Sequence, residues 1–418
     1  MKRIVSILIG LMVSFYFYTV NFTFMPSWLS SKTFLSVIGI IIFAYQSIQC
    51  KSFKLDQDIM LSGMLAGVFS FSCLLSVIAN GTDDMSYVTY IVSFAVWTFG
   101  AHAVCTFIRL HHGRLDLKLI SNYLIWVAVL QCILSQLIAH IPAVMYFIDS
   151  IVADHNAFFH DKDRLYGLGA ALDPAGVRFS IVELLIAHQL IKGNGHLRSS
   201  ELWFYYLSFF IILVLGCMIS RTTTVGAILG IVYSILDRIR HMGGNINIGR
   251  LKSIGVLILI LVIAIPIIVY LYNNDSFTHQ QLRFAFEGFF NWVETGVWRT
   301  GSTDKLNGTM WIWPTDQTGW LIGYGLFGNW AYGTDIGYCR FTLYCGLLGL
   351  SIFAYFFLFL SQRFAKRNPG TGLIAMMLFV LNMIIWVKVA TDIYLIFAIL
   401  FSMRYVNSIY DNMSRTRK

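Results

Sequence analysis

Of 418 residues, 57% are hydrophobic and only 12% are charged, and the mean hydropathy is +0.69, so the chain cannot present the polar surface that a water-soluble globule needs. A formal charge of +9 would point to nucleic acid in a soluble protein; here the basic residues sit in short loops between apolar runs, which argues for membrane orientation and against nucleic acid. The seven cysteines (Cys50, Cys73, Cys105, Cys132, Cys217, Cys339 and Cys345) fall mostly inside those runs with no CxxC spacing, a pattern of small buried hydrophobes rather than of disulfides or metal ligands.

A bilayer core about 30 Å thick takes roughly 20 apolar residues per helix. On that scale the sequence predicts an all-α, polytopic membrane protein of twelve spans, at about 4–24, 33–49, 58–79, 86–108, 119–140, 172–191, 202–220, 222–237, 253–272, 336–361, 371–388 and 391–406. The pairs at 202–237 and 371–406 have almost no polar connection and are expected to be tight helical hairpins. Met1-Lys2-Arg3 followed by an apolar run resembles a signal peptide, but it lacks a small-residue cleavage site and is expected to be retained as the first span.

Positive charge then orients the spans. With the N-terminus in the cytoplasm, twenty of the thirty Lys and Arg fall on the inner side, and every inner loop is basic. Both termini are therefore expected inside. The organisation that follows is spans 1–9 over 1–272 with an outer segment at about 141–171, a large outer loop at 273–335, and spans 10–12 with a cytoplasmic tail over 336–418. The large loop sets Arg283, Arg299 and Lys305 against Asp275, Glu287, Glu294, Asp304, Asp316 and Asp335, so it is acidic by three.

Few charges remain outside this pattern. Arg221, in Ser220-Arg221-Thr222-Thr223-Thr224, sits at an expected outer turn between two spans. It either snorkels to headgroups or clamps an anion, since a guanidinium stays charged and its planar fork matches phosphate oxygens. Arg164 to Arg178 leads into the sixth span and brings two more outer arginines, with glycines and Pro174 near the helix start. Arg340 lies inside an apolar run just after Asp335; the two read either as a structural ion pair or as two arms of one site. Glu183, Lys388 and Asp392 are intramembrane charges, proton-relay elements or paired structural groups. Asp154, His155, His160, Asp161 and Asp163 match no metal-ligand spacing and read as a solvated outer helix. The run Gly323 to Gly328 follows no strand pattern and reads as a flexible turn above the membrane. No P-loop, GxSxG or HExxH occurs.

Three features taken together carry a resemblance. They are Arg221 just after a span, a long outer loop ending in Leu306, Met310, Pro314, Trp320, Gly323, Gly325 and Phe327, and then Thr334-Asp335-Ile336-Gly337-Tyr338 with Arg340, followed by Gly346-Leu-Leu-Gly349. The chain resembles the O-antigen and capsule polysaccharide polymerases of the O-antigen ligase/polymerase group of membrane glycosyltransferases. The resemblance covers the whole span plan and is specific over about 300–350.

It implies a metal-independent, cofactor-free enzyme of C-type glycosyltransferase fold in the bacterial inner membrane. Such an enzyme transfers a growing glycan from an undecaprenyl diphosphate carrier to the next carrier-linked repeat unit at the periplasmic face. Its partners would be that lipid-linked glycan, membrane lipid and a chain-length regulator protein. Arg221 matches the best-defined diphosphate-binding arginine of the family; Arg164, Arg178 and Arg340 carry over more weakly. The ligase branch has a His near the place of Asp335, and that departure favours a polymerase.

The chemistry can be stated without the family. Diphosphate leaves readily once its charge is neutralised, which arginines can do. The attacking sugar hydroxyl must pass its proton to a carboxylate, for which Asp335 is the first choice and Asp316 the second. Arg299 and Tyr338 join the expected substrate-binding set with Trp320, one of a group of aromatics (Trp311, Trp313, Tyr324, Trp330, Tyr332) whose faces suit sugar rings and equally suit an interfacial belt. The rival class is a twelve-span flippase or transporter, in which two matching halves are usual; none is visible here.

Overall fold

In the computed structural model, residues 2–50, 55–153, 164–193, 197–240 and 248–416 are described. They form α1 (Lys2–Phe17), α2 (Ser31–Gln49), α3 (Gln57–Asn80), α4 (Tyr90–His112), α5 (Leu117–His140), α6 (Pro142–Ile151), α7 (Leu172–Lys192), α8 (Ser199–Ile219), α9 (Thr223–Arg240), α10 (Ile248–Asn274), α11 (Ser276–Ala285), α12 (Glu287–Thr295), α13 (Gly301–Lys305), α14 (Gln317–Ile322), α15 (Gly337–Arg367), α16 (Gly372–Ile385) and α17 (Tyr394–Thr416). Short π and 3-10 turns lie at Leu306–Met310 and Gly328–Trp330. Among the described residues there is no strand beyond the single bridge of Phe22 with Val152.

Each of the twelve expected spans contains helix, although the first is helical only as far as Phe17. Seven helices (α2, α3, α4, α5, α7, α8 and α15) are long and apolar enough to cross a membrane, and an eighth if Ile258–Asn274 and Ser276–Ala285, bent by 116°, count as one span. The remainder fall short for visible reasons. Helix α1 stops after 16 residues and α16 after 14, while α17 carries Arg404 and Asp411 along its length. The 273–335 segment carries the short helices α11 to α14.

The chain divides into two compact units. Unit 1 comprises Met1–Thr19, Ser27–Leu117 and Gly301–Lys418; unit 2 comprises Val20–Pro26 and Lys118–Thr300. The 273–335 segment is thus shared, its first part in unit 2 and its second in unit 1.

In unit 1, α4 is the central helix, packed by α1, α2, α3 and α17. The helix pair α2–α4 is tight because residue 39 is glycine: a Cβ there would lie 1.9 Å from the Phe99 carbonyl oxygen. Aromatic rings fill the space between α3, α4, α15 and α16. Phe69 stacks on Phe353 at 4.1 Å, and Phe353 on Trp386 at 5.3 Å. The expected hairpin at 371–406 does not form, because α16 packs on α15 and α17 on α4. Residues 386–393 give the chain enough length to part the two helices.

Helix α15 is broken. Gly346 takes φ 64° and ψ −176°, so the carbonyls of the preceding turn lose their helical donors. Two loop amides take their place: Tyr324 N–H donates to Leu343 O at 2.6 Å, and Gly325 N–H to Tyr344 O at 3.0 Å. From α3, Ser76 Oγ also donates to Tyr344 O at 2.6 Å and Asn80 Nδ2 to Gly323 O at 3.0 Å; Thr82 Oγ1, just beyond that helix, donates to Gly325 O at 2.7 Å. The Gly323–Gly328 run is therefore anchored in the bundle, which corrects its reading as a flexible turn.

In unit 2, α7 is the most enclosed helix, and α9 packs on it more extensively than on its sequence neighbour α8. Glycine again sets the approach. A Cβ at Gly226 would fall 2.2 Å from Ser180 Cα, and Gly230 follows one turn later in a small-xxx-small pattern. The Ser180 hydroxyl donates to Thr222 O at 2.9 Å and accepts from Gly226 N–H at 3.1 Å.

The break at Gly346 yields a first prediction. A Cβ at that position would lie 2.2 Å from Leu321 O, and the backbone is in the left-handed region. Gly346→Ala is expected to destabilise the protein by at least ~2 kcal/mol. Thermal unfolding in detergent measures this, and an unchanged midpoint would show that the break is not required.

Candidate functional site

Two of the expected arginines meet in unit 2. The chain turns from α8 into α9 at Ser220-Arg221-Thr222, and the Ser220 and Thr222 hydroxyls donate to Asp173 Oδ1 at 3.0 and 2.6 Å, which fixes the turn against the start of α7. Gly176 permits this closeness, since a Cβ there would lie 2.6 Å from Ser220 Oγ. Held in this way, the Arg221 guanidinium lies 4.2 Å from the centre of the Phe284 ring, and that of Arg164 lies 4.3 Å from the same centre. The two cations act on one another: burial first, and then the Arg221 charge, lower the Arg164 pKa, against an opposing pull from Asp173. Glu287 pairs with Arg221 at 2.6 Å, with 19% of the arginine and 30% of the glutamate side chain exposed. Two guanidiniums with one partly exposed carboxylate between α11 and α12 make a site suited to an anion with several oxygens.

The other two expected site arginines of unit 2 are placed differently. Arg178 is half-buried in the second turn of α7, five residues beyond Asp173. Arg299 is exposed after α12, and its carbonyl accepts from Asn291 Nδ2 at 2.7 Å.

In unit 1 the anchored loop arranges Asp335, Arg340 and the aromatics. Asp335 is exposed, and its Oδ1 accepts from Trp330 Nε1 at 3.0 Å. Arg340 is half-buried; it donates to the Phe327 carbonyl at 2.7 Å and lies 3.9 Å from that ring's centre. Asp335 and Arg340 do not form the direct ion pair that was one reading of the sequence, although the charges of Asp335 and Asp84 both act on the guanidinium. Phe327, Trp330, Tyr332, Thr334 and Arg340 surround a small gap between the side chains.

Four other expected residues have local duties. Asp316 caps α14, accepting from Gly319 N–H at 2.9 Å and from Tyr324 Oη at 2.5 Å. The Tyr324 hydroxyl first, and then the Gly319 amide, hold its carboxyl below the usual aspartate range, which makes it a poor proton acceptor. Tyr338 donates its hydroxyl to Met383 O at 2.9 Å and so ties α15 to α16. Trp320 is exposed and stacks on Trp313 at 5.5 Å, and Trp313 lies 5.9 Å from Trp311, so the three form an aromatic ladder. Asp392 caps α17 through Tyr394 N–H at 2.8 Å. The group from Asp154 to Asp163 lies outside the described residues.

Asp84, in the turn between α3 and α4, escaped the sequence reading. Its Oδ2 accepts from the Phe327 and Gly328 amides, both at 2.6 Å, and its Oδ1 accepts from Ser86 N–H at 3.0 Å. The only signal in the sequence was a pair of acids, Asp83-Asp84, in a short loop at an expected outer end. Glu287 and Phe284 were equally invisible, because their value comes from what α11 and α12 pack against.

Asp84 supports a second prediction. Burial alone would raise its pKa, but the Ser86 hydroxyl and the amides of Gly328, Phe327 and Ser86 outweigh it and hold the carboxyl below the usual aspartate value. A depressed folded-state pKa adds stability that is present above the unfolded value of about 4 and disappears as pH falls through the folded value. Asp84→Asn is therefore expected to loosen the 323–335 segment at neutral pH by ~1 kcal/mol, discounted for partial exposure. Its protease sensitivity should match that of the acidified parent, and resistance equal to the parent at pH 7 would refute the role.

No protein-family model matches this chain, and no match was found among curated proteins or among solved structures.

Proposed function

We propose that this protein is a membrane glycosyltransferase that polymerises undecaprenyl-diphosphate-linked oligosaccharide repeat units into a surface polysaccharide, O-antigen or capsule. The reading includes a twelve-span, C-type glycosyltransferase-like fold in a bacterial inner membrane, with both termini cytoplasmic and the site periplasmic. The observation that carries it is the pairing of Arg164 and Arg221 on Phe284, with Glu287 closing one of them. Two positive charges gathered on one ring suit a lipid-linked diphosphate better than a neutral ligand.

In this reaction the clamp neutralises the diphosphate as the bond from its oxygen to the anomeric carbon breaks. The acceptor hydroxyl forms the new bond at that carbon and gives its proton to a carboxylate. Within unit 1, Asp335 suits a proton acceptor better than Asp316: among the described residues only one of its oxygens is engaged, by Trp330, whereas Asp316 is committed to its cap. Exposed Trp320 and Trp311 offer apolar faces for sugar rings. Arg340 acts through Phe327 and so positions the loop. A chain-length regulator protein belongs to the same proposal.

The test compares Arg221→Ala with Glu287→Gln in the native host, with membrane levels of each variant checked. Removing the clamp arginine is expected to cut polymer by roughly 100-fold or more while single repeat units are still transferred. Glu287→Gln, which leaves both guanidiniums in place, is expected to lose far less. Equal losses in the two variants would reduce the pair to a structural ion bridge. Full-length polymer from Arg221→Ala would end the proposal, and carrier-linked units accumulating inside the cell would mark a flippase instead.

A further inference from the structure

At the end of unit 1 away from Gly346, three arginines surround one buried carboxylate. Asp58, in the first turn of α3, is 1% exposed; Arg367 Nε lies 3.0 Å from Oδ2, Arg404 Nη1 3.6 Å from Oδ2 and Arg363 Nη1 3.7 Å from Oδ1. Arg363 and Arg367, four apart, share a face near the C-terminus of α15, and Arg404 comes from α17. Asp56 is committed to capping α3, where it accepts from Asp58 N–H at 2.8 Å.

The charges do not balance. Three guanidiniums face Asp58, and even with Asp56 counted the group remains positive, with Lys366 exposed on the same turn of α15. The hydrogen bonds do not balance either. Among the described residues, neither Asp58 oxygen nor the buried Arg404 Nη1 has a partner of hydrogen-bond geometry. The three arginine side chains keep 29%, 33% and 39% of their surface exposed, so their remaining donors can be reached from outside. Helices α3 and α15 are both candidate spans, and this cluster lies at their ends, the level at which an apolar helix leaves hydrocarbon.

We propose that Arg363, Arg367 and Arg404, oriented by Asp58, form a second anion site, which binds a phosphate group carried by an anionic phospholipid headgroup or by soluble phosphate. A tetrahedral phosphate offers several acceptor oxygens to donors that one carboxylate leaves unsatisfied, and basic pockets between spans bind anionic headgroups by the same chemistry. The site is independent of the diphosphate clamp, and it makes no use of Arg164 or Arg221.

The experiment follows thermal unfolding of the full-length protein in detergent. Three additions are compared: phosphatidylglycerol, phosphatidylcholine, and sodium phosphate against sodium chloride at equal ionic strength. In the parent, phosphatidylglycerol or phosphate is expected to raise the midpoint and phosphatidylcholine to leave it unchanged. In Arg363→Gln/Arg367→Gln the concentration for half the effect should rise roughly tenfold; Arg404→Gln, read in the same way, serves if the double variant does not fold. A response to phosphatidylglycerol alone assigns the ligand to the bilayer, and a response to phosphate alone assigns it to solution. No response to either, or an equal response in parent and variants, would overturn the site.

Discussion

A backbone carbonyl stripped of its donor inside an apolar bundle costs several kcal/mol, and this cost decides the course of the long loop in unit 1. Gly346 breaks α15 and frees the carbonyls of Leu343 and Tyr344, which the amides of Tyr324 and Gly325 then satisfy. The exchange only works at close range. Gly323 and Gly346 each bring backbone to within distances that a side chain would forbid, since a Cβ on either would come within 2.5 Å of the opposing main chain. Everything that follows in the loop, including the Asp84 latch on Phe327 and Gly328 and the seat of Arg340, is measured from that join.

Unit 2 solves a different problem, that of keeping two like charges close together. Arg164 and Arg221 both lie within 4.3 Å of the Phe284 ring centre, where the electron-rich face of the ring offsets part of their repulsion. Glu287 offsets more, and Asp173 holds the turn that carries Arg221. The arrangement depends on the close crossing of α7 and α9, which in turn depends on Gly176 and Gly226. The neutralising carboxylate of this cluster remains partly exposed, at 30% of its side chain.

Composition and apolar run length made the helical, membrane-spanning character legible, because burial in lipid imposes a length on every helix. Run length does not foresee where an apolar run holds only a short helix, as in α1 and α16. Partner choice among helices was not legible. The 371–406 hairpin failed because proximity in sequence says nothing of which face is small enough to pack, and α16 found α15 instead. Among candidate site residues, Arg164 and Arg221 could be named because few arginines lie near spans on the expected outer side. Asp84 and Glu287 could not, because an acid in a polar turn is ordinary until the fold brings arginine or a row of amides to it. Asp316 shows the converse: its chemistry suited a base, and the cap it forms on α14 uses that chemistry up.

Backbone strain gives an independent mark of where the fold is over-determined. Among the described residues, Leu172 at φ 52° and Trp330 at φ 53° are the non-glycine residues in the left-handed region, a conformation costing roughly 1–3 kcal/mol. Leu172 precedes Asp173, the residue that fixes the Arg221 turn, and Trp330 holds Asp335 through its indole N–H. Glycine at either position would relieve the backbone. At Trp330 it would also remove the group that orients Asp335 and the ring that Lys305 approaches at 5.7 Å. The indole N–H, held 3.0 Å from Asp335 Oδ1, limits the directions in which this exposed carboxylate can turn.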